Sequence, residues 1–185
     1  MAQKLTKGQL RVLSKDNPRL KLNLKEIFGV DVSDNEALKL AMAEALLTKM
    51  LDKTAEGKSR TGKGFRKYSK AYMKSDEFKA AGKTAKVNMK LSGDMLGLID
   101  VTSETKNTVT LGWSEGDEGA KAHGHITGGG RLPVRDFFGL NNKDIAEVKK
   151  EFSSEISDIK NSRTTERQRA ILALIDKIEG SDGES

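Results

Sequence analysis

The sequence predicts an α+β domain: a small antiparallel sheet packed against two or three helices, with a long glycine-rich loop. Three observations predict it. "LIDVTSETKNTVTLGW" (98–113) holds two β-branched, apolar runs around a polar turn, the pattern of an antiparallel hairpin. Apolar residues recur at helical spacing over 38–50 and again over 145–159. "GHITGGGR" (124–131) concentrates glycine between the hairpin and the second helix.

The elements follow in order. Residues 1–32 read as an N-terminal arm, although Leu20, Leu22 and Leu24 alternate with Arg19, Lys21 and Asn23 at a strand-like period of two. Ser33 stands three before Glu36, which predicts a capping box opening a helix over 34–54. Leu38, Ala41, Met42, Ala45, Leu46 and Met50 supply its buried face, and Gly57 ends it. "GKSRTGKG" (57–64) is a loop. Phe65, Tyr68 and Tyr72 then stand at i, i+3 and i+7 among lysines. They form either one helical stripe or aromatic anchors of an irregular segment, and the second is expected. Val87, Met89 and Leu91 alternate as in a strand. Ser92 is placed to cap a short turn carrying Met95 and Leu96.

The hairpin pairs about 97–103 with 108–114. "SEGDEG" (114–119) follows as an acidic loop. Asn141 or Asn142 caps a helix over about 142–160, with Ile145, Val148, Phe152, Ile156 and Ile159 as its stripe. "NSRTTE" (161–166) breaks that pattern. A last helix carries Ala170, Ile171, Leu174, Ile175 and Ile178, and Gly180 stops it. The division is therefore an arm at 1–32, a domain at 33–163 and a terminal helix and tail at 164–185.

The chain has 185 residues, 36% apolar and 32% charged, enough for one modest core. No apolar run approaches the ~20 residues that span a bilayer, and no membrane partner is expected. Cysteine is absent. That excludes disulfides, thiol catalysis and cysteine-ligated zinc, and suits a reducing interior or a particle assembled there. The net charge of +6 is uneven. Residues 53–90 carry twelve basic and three acidic side chains, while residues 91–185 carry a net −5. Lys63, Arg66, Lys67 and Lys70 in the basic segment are candidate contacts to nucleic-acid phosphates or an acidic protein surface. Otherwise they solvate a loop.

The site motifs argue against an enzyme. On a strand, His123 and His125 would share a face, but zinc needs a third strong ligand and the chain has two histidines and no cysteine. The glycines lack the Lys-Ser/Thr of a phosphate loop. No triad context surrounds a serine. No metal or cofactor is expected. Pro133 suits an edge strand. Arg135, between apolar neighbours, needs a carboxylate or carbonyl partner. Phe137 or Phe138 packs inward.

Five short motifs in order carry a resemblance. "YSKAYMK", "LSGDMLGLIDV", "VTLGW", "AKAHGHITGG" and "LPVRDFFGLNNKDIAEV" resemble the tailed-bacteriophage virion-morphogenesis proteins, the tail-completion or neck family, over residues 57–152. Ser92, Gly93 and Leu96 match its turn motif, and His123 and Gly128 match its histidine–glycine stretch. Leu132, Pro133, Arg135, Phe138, Gly139, Leu140 and Asp144 match its last block. Two departures stand out. Ala120–Lys121–Ala122 replace the family's aromatic, and Asp136 replaces its second proline.

The resemblance implies a non-enzymatic structural protein that completes the tail or neck and supports head–tail joining. Its partners would be other virion proteins: head-completion, tail-terminator or tail-tube subunits. Self-association in a ring is implied, with DNA passing nearby, in the virion and in the host cytoplasm during assembly. Tyr68, Tyr72, Ser92, Gly93, Leu96, His123, Gly128, Pro133, Arg135 and Phe138 become candidate interface or motif residues. The competing expectations are a basic nucleic-acid-binding protein and, behind it, a hydrolase.

Overall fold

A computed structural model describes residues 2–89, 94–114, 117–130 and 132–181. Five antiparallel strands form one sheet. They are β1 (Ala2–Lys4), β2 (Gln9–Val12), β3 (Arg19–Asn23), β4 (Ile99–Thr105) and β5 (Thr108–Trp113), in the spatial order β1-β2-β3-β5-β4. The α+β class therefore stands. Leu20 and Leu22 of β3 pair with Leu111 and Val109 of β5, and all four are fully buried. The β4–β5 hairpin turns at Lys106–Asn107 and carries an irregularity between Val101 and Ser103.

Residues 1–32, expected as an arm, hold three of the five strands and a short helix, α1 (Leu24–Phe28). The signal at β3 was visible. The signal at β2 was inverted, because Gln9 and Arg11 face inward while Leu10 is exposed. An inward polar pair defeats a reading based on apolar alternation.

The helix α2 (Glu36–Ala55) covers the sheet with Met42, Ala43, Leu46 and Met50. Its cap is Asn35, whose side chain accepts from the Leu38 N–H. Ser33 instead hydrogen-bonds to Asp31 and Asp34, so the expected capping box at Ser33–Glu36 does not form. Gly57, at φ +84°, takes the chain out of the helix end, as expected of glycine there.

Three short helices follow: α3 (Lys70–Lys74), α4 (Asp76–Ala80) and α5 (Asp94–Gly97). Val87 and Met89 are buried but lie in irregular backbone rather than a strand. Leu91, Ser92 and Gly93 lie outside the described residues.

The stretch expected as a glycine-rich loop folds instead as α6 (Glu118–Thr127). Ala122 and Ile126, four apart, form its buried edge. The glycine run is reduced to a helix stop, with Gly128 in the left-handed conformation. No edge strand forms at Pro133; residues 132–136 run as irregular backbone.

The helix α7 (Asn142–Glu151) begins with a complete capping box between Asn141 and Asp144. It packs on α2 and ends at Phe152. The last helix, α8 (Ser153–Ser181), passes through "NSRTTE" without a break. Through Ile159 it touches the core. From Lys160 to Leu174 every side chain is exposed.

Candidate functional site

Residues 135–144 lie across the body and are held at four places. Asp136 receives the Arg11 and Arg60 guanidiniums. Phe137 and Phe138 are fully buried, and the Phe138 ring lies 5.1 Å from that of Trp113. The Gln9 amide hydrogen-bonds to both the N–H and the carbonyl of Leu140. Lys53 and Asp144 form a buried ion pair, and Lys53 also donates to the Arg60 and Gly139 carbonyls. Burial pushes the Lys53 ammonium down, while Asp144 pulls it back up. A charge taken out of water persists only with such partners. This strap is architecture, and it fixes the one segment on its N-terminal side that reaches a cavity: residues 132–135.

That cavity, about 720 Å³, is walled by two faces. One is the segment Arg66–Ser69 with Tyr72 of α3, and Lys83 and Met89 beyond it. The other is His125 of α6 with Gly130, Leu132, Pro133 and Arg135. The Arg135 N–H donates to the His125 carbonyl at 2.7 Å and joins the second face to α6. A Cβ at Gly128 would come within 2.7 Å of Val134, so glycine there permits the close approach of the strap to the helix end.

An aromatic cluster forms the floor. Tyr68, Tyr72 and Phe78 lie mutually 5.3–5.5 Å apart between centroids, within the range of favourable edge and tilted contacts. Arg135 and Lys83 both stand over the Tyr68 ring, at 5.0 and 5.2 Å. Burial raises the Tyr68 hydroxyl, and the Asn88 backbone N–H hydrogen-bonds to it.

The electrostatics are one-sided. Arg135 is 5% exposed, yet its one side-chain hydrogen bond among the described residues is a long donation to the Arg66 carbonyl at 3.5 Å. Among the described residues its Nε has no partner, nor has His125 Nδ1. Burial, then Arg135 and Lys83, push the His125 imidazole down to about 4. The Arg135 guanidinium is itself pushed down by burial, countered by the two tyrosines. Among the described lining residues there is no carboxylate. The arrangement is a positive, partly desolvated recess with an aromatic floor. Chemically it is suited to hold an anion, where field and low polarity strengthen the attraction.

Of the residues singled out in the sequence, Arg66, Lys67, Tyr68, Tyr72, Pro133 and Arg135 meet in this cavity. Lys63 and Lys70 are exposed outside it. His123 sits on α6 but not in the lining; two residues apart on a helix project to different faces, so the shared face imagined for a strand does not arise. Leu96 and Phe138 are buried core, and Gly128 is a helix stop. Ser92 and Gly93 lie outside the described residues. Among the described residues Arg135 has only the carbonyl partner of its two expected kinds. In the sequence His125 stands out only as a metal-ligand candidate, Met89 only as part of a strand-like alternation and Leu132 only as part of the last motif block, while Lys83 carries no signal. The clue for His125 is its place next to Ile126 on the Ala122–Ile126 edge, visible once α6 is read as a helix.

No family model, curated protein or solved structure matches the chain.

Proposed function

We propose that this chain is a structural protein of tailed-phage assembly that completes the tail or neck and supports the joining of head and tail. The observation that carries this reading is α8. Ile171, Leu172 and Leu174 are exposed at 48, 60 and 61% on a helix whose side chains from Lys160 to Leu174 are all exposed. An isolated helical arm of that length is marginal in water, and exposed aliphatic side chains on it are suited to a neighbouring subunit. The motif order from residue 57 to 152 supports the same reading. The residues of its last block act in the strap, so they build a rigid base from which α8 leaves. Among the described residues no helix is long and apolar enough to cross a membrane.

The test is a lysate lacking the gene, viewed by electron microscopy. Filled heads and unjoined or abnormally ended tails are expected. Normal infectious virions would remove the reading. The alternative, a basic nucleic-acid-binding protein, is favoured by the exposure of Lys63, Arg66, Lys67 and Lys70. A steep loss of DNA affinity with salt would support it.

A further inference from the structure

Among the described residues no carboxylate lines the cavity, and the same chain carries a cluster of them near its C-terminus. Residues 171–185, "ILALIDKIEGSDGES", hold Asp176, Glu179, Asp182 and Glu184 against the single Lys177, interleaved with aliphatic residues. The cavity offers the complement: Arg66, Lys67 and Arg135 around the tyrosines, with Leu132 and Val134 exposed at and beside its rim. We propose that the Tyr68–Arg135 cavity binds the acidic, aliphatic stretch 171–185 of a second copy of this chain. This rests on the self-association in the reading above.

Three observations carry it. Among the described residues Arg135 is buried without a carboxylate, while the buried cations that hold the strap have one: Arg11 with Asp136, Lys53 with Asp144. A guanidinium is built to take a carboxylate with two parallel hydrogen bonds. An unmatched buried guanidinium is costly, and an incoming carboxylate removes that cost. The second observation is reach. Arg163 still contacts Asp31 of the body. From Thr164 to Ser181 the helix continues, and a rise of about 1.5 Å per residue carries its far end roughly 25 Å onward. The helix runs outward from that contact, and the proposed contact is with a second copy. The third is symmetry. A contact between one patch and a different patch on the next copy is heterologous, and such contacts close into rings when the rotation permits.

The cavity is large enough for a few side chains, within the usual ~300–1,000 Å³ of a binding pocket. Its aromatic floor suits the aliphatic side chains and its basic wall the acids. A phosphate would use the same wall but leave Leu132 and Val134 idle.

The test uses the full chain and a labelled peptide of residues 171–185, read by fluorescence anisotropy. We expect saturable binding, weakened about tenfold or more when salt rises from ~0.05 to ~0.5 M. The double variant Arg66→Glu, Lys67→Glu changes exposed side chains and should fold normally. It should lose about tenfold or more in affinity. It should regain binding to a peptide carrying Asp176→Lys and Glu179→Lys. A peptide with Asp176→Asn and Glu179→Gln should bind the unaltered chain weakly. No peptide binding by a chain that self-associates overturns the inference and leaves the assembly reading intact. Displacement of the peptide by a single-stranded oligonucleotide that binds more tightly overturns it in favour of a nucleic-acid site. Peptide binding together with normal virions in the gene-deleted lysate keeps the inference and removes the assembly reading.

Discussion

Gln9 and Leu140 hydrogen-bond to each other twice, side chain to backbone: the Gln9 Nε2 donates to the Leu140 carbonyl and the Leu140 N–H donates to Gln9 Oε1, both at 3.0 Å. A side-chain amide thus acts as one residue of a strand for a segment that is not in the sheet. Both groups of Leu140 are buried, so without Gln9 they would stand unsatisfied. Gln9→Leu should cost about 2 kcal/mol or more in urea unfolding, although it adds apolar surface to the interior. Gln9→Glu keeps the acceptor and loses the donor, and should also destabilise. A neutral or stabilising Gln9→Leu would show that the pair does not anchor the strap.

The Asp136 carboxylate serves two guanidiniums, Arg11 from the sheet and Arg60 from the loop after α2. Arg11 is 3% exposed, so removing its partner leaves a buried charge. Asp136→Ala should cost about 3 kcal/mol. Combining it with Arg11→Met should cost less than the two changes taken separately, because the stranded charge is gone. Additive losses would mean that Asp136 acts through the backbone rather than through the pair.

These two relationships show what was legible and what was not. The hairpin 99–113, the helix from the mid-thirties and the start of the Asn141-capped helix all carry local patterns and formed within a few residues of expectation, although that last helix ends at Glu151 rather than near 160. The role of β2 did not show, because its inward residues are Gln9 and Arg11, whose partners in the strap, Leu140 and Asp136, stand 125 or more residues away in the chain. Polar burial is specified by the partner, not by the neighbour. The cavity was half visible. The Tyr68–Tyr72 spacing and the isolated Arg135 marked its two walls, but nothing local says that they face each other. His125 was misplaced because the glycines around α6 suggested loop; Ala122 and Ile126, buried against the body, hold it helical despite them. Asp136 was equally silent in the sequence, because its role is to serve as the anion for Arg11 and Arg60, neither of them a near neighbour in the chain.

Gly119 and Gly124 both lie in α6, where alanine is intrinsically better by about 1 kcal/mol. They should nevertheless respond oppositely. A Cβ at Gly119 would collide with the Asp16 backbone carbonyl, and backbone does not yield as a side chain does. A Cβ at Gly124 meets only Leu132 Cδ1 at 3.5 Å, an ordinary contact. Gly119→Ala should lower the thermal midpoint, and Gly124→Ala should raise it by a few degrees. Equal shifts of one sign would contradict the docking of the α6 N-terminus on the Asp16–Asn17 turn.

His125 predicts a pH dependence with a definite sign. Burial, together with Arg135 and Lys83, lowers its imidazole from 6.5 to about 4 in the folded chain. The unfolded chain therefore binds more protons between those values. Stability is complete above about pH 6.5 and is lost as pH falls toward 4. Between pH 7 and pH 5 the loss should be on the order of 1 kcal/mol. Carboxylates add their own slope, but Asp31, held far down by Ser33, Lys25 and Asn107, gives up its contribution at more acid pH. The control is His125→Gln, which removes the titration and keeps a helix-compatible polar side chain. Urea midpoints at pH 7 and pH 5 should differ less in His125→Gln than in the unaltered chain. An anion in the cavity opposes the Arg135 and Lys83 contributions, the smaller ones after burial, and so raises the imidazole part of the way back. Binding of the 171–185 peptide should then take up protons and tighten from pH 7 to pH 5, and the tightening should vanish in His125→Gln. A pH-independent peptide affinity, or an identical slope in the variant, would place the occupant or the titrating group elsewhere.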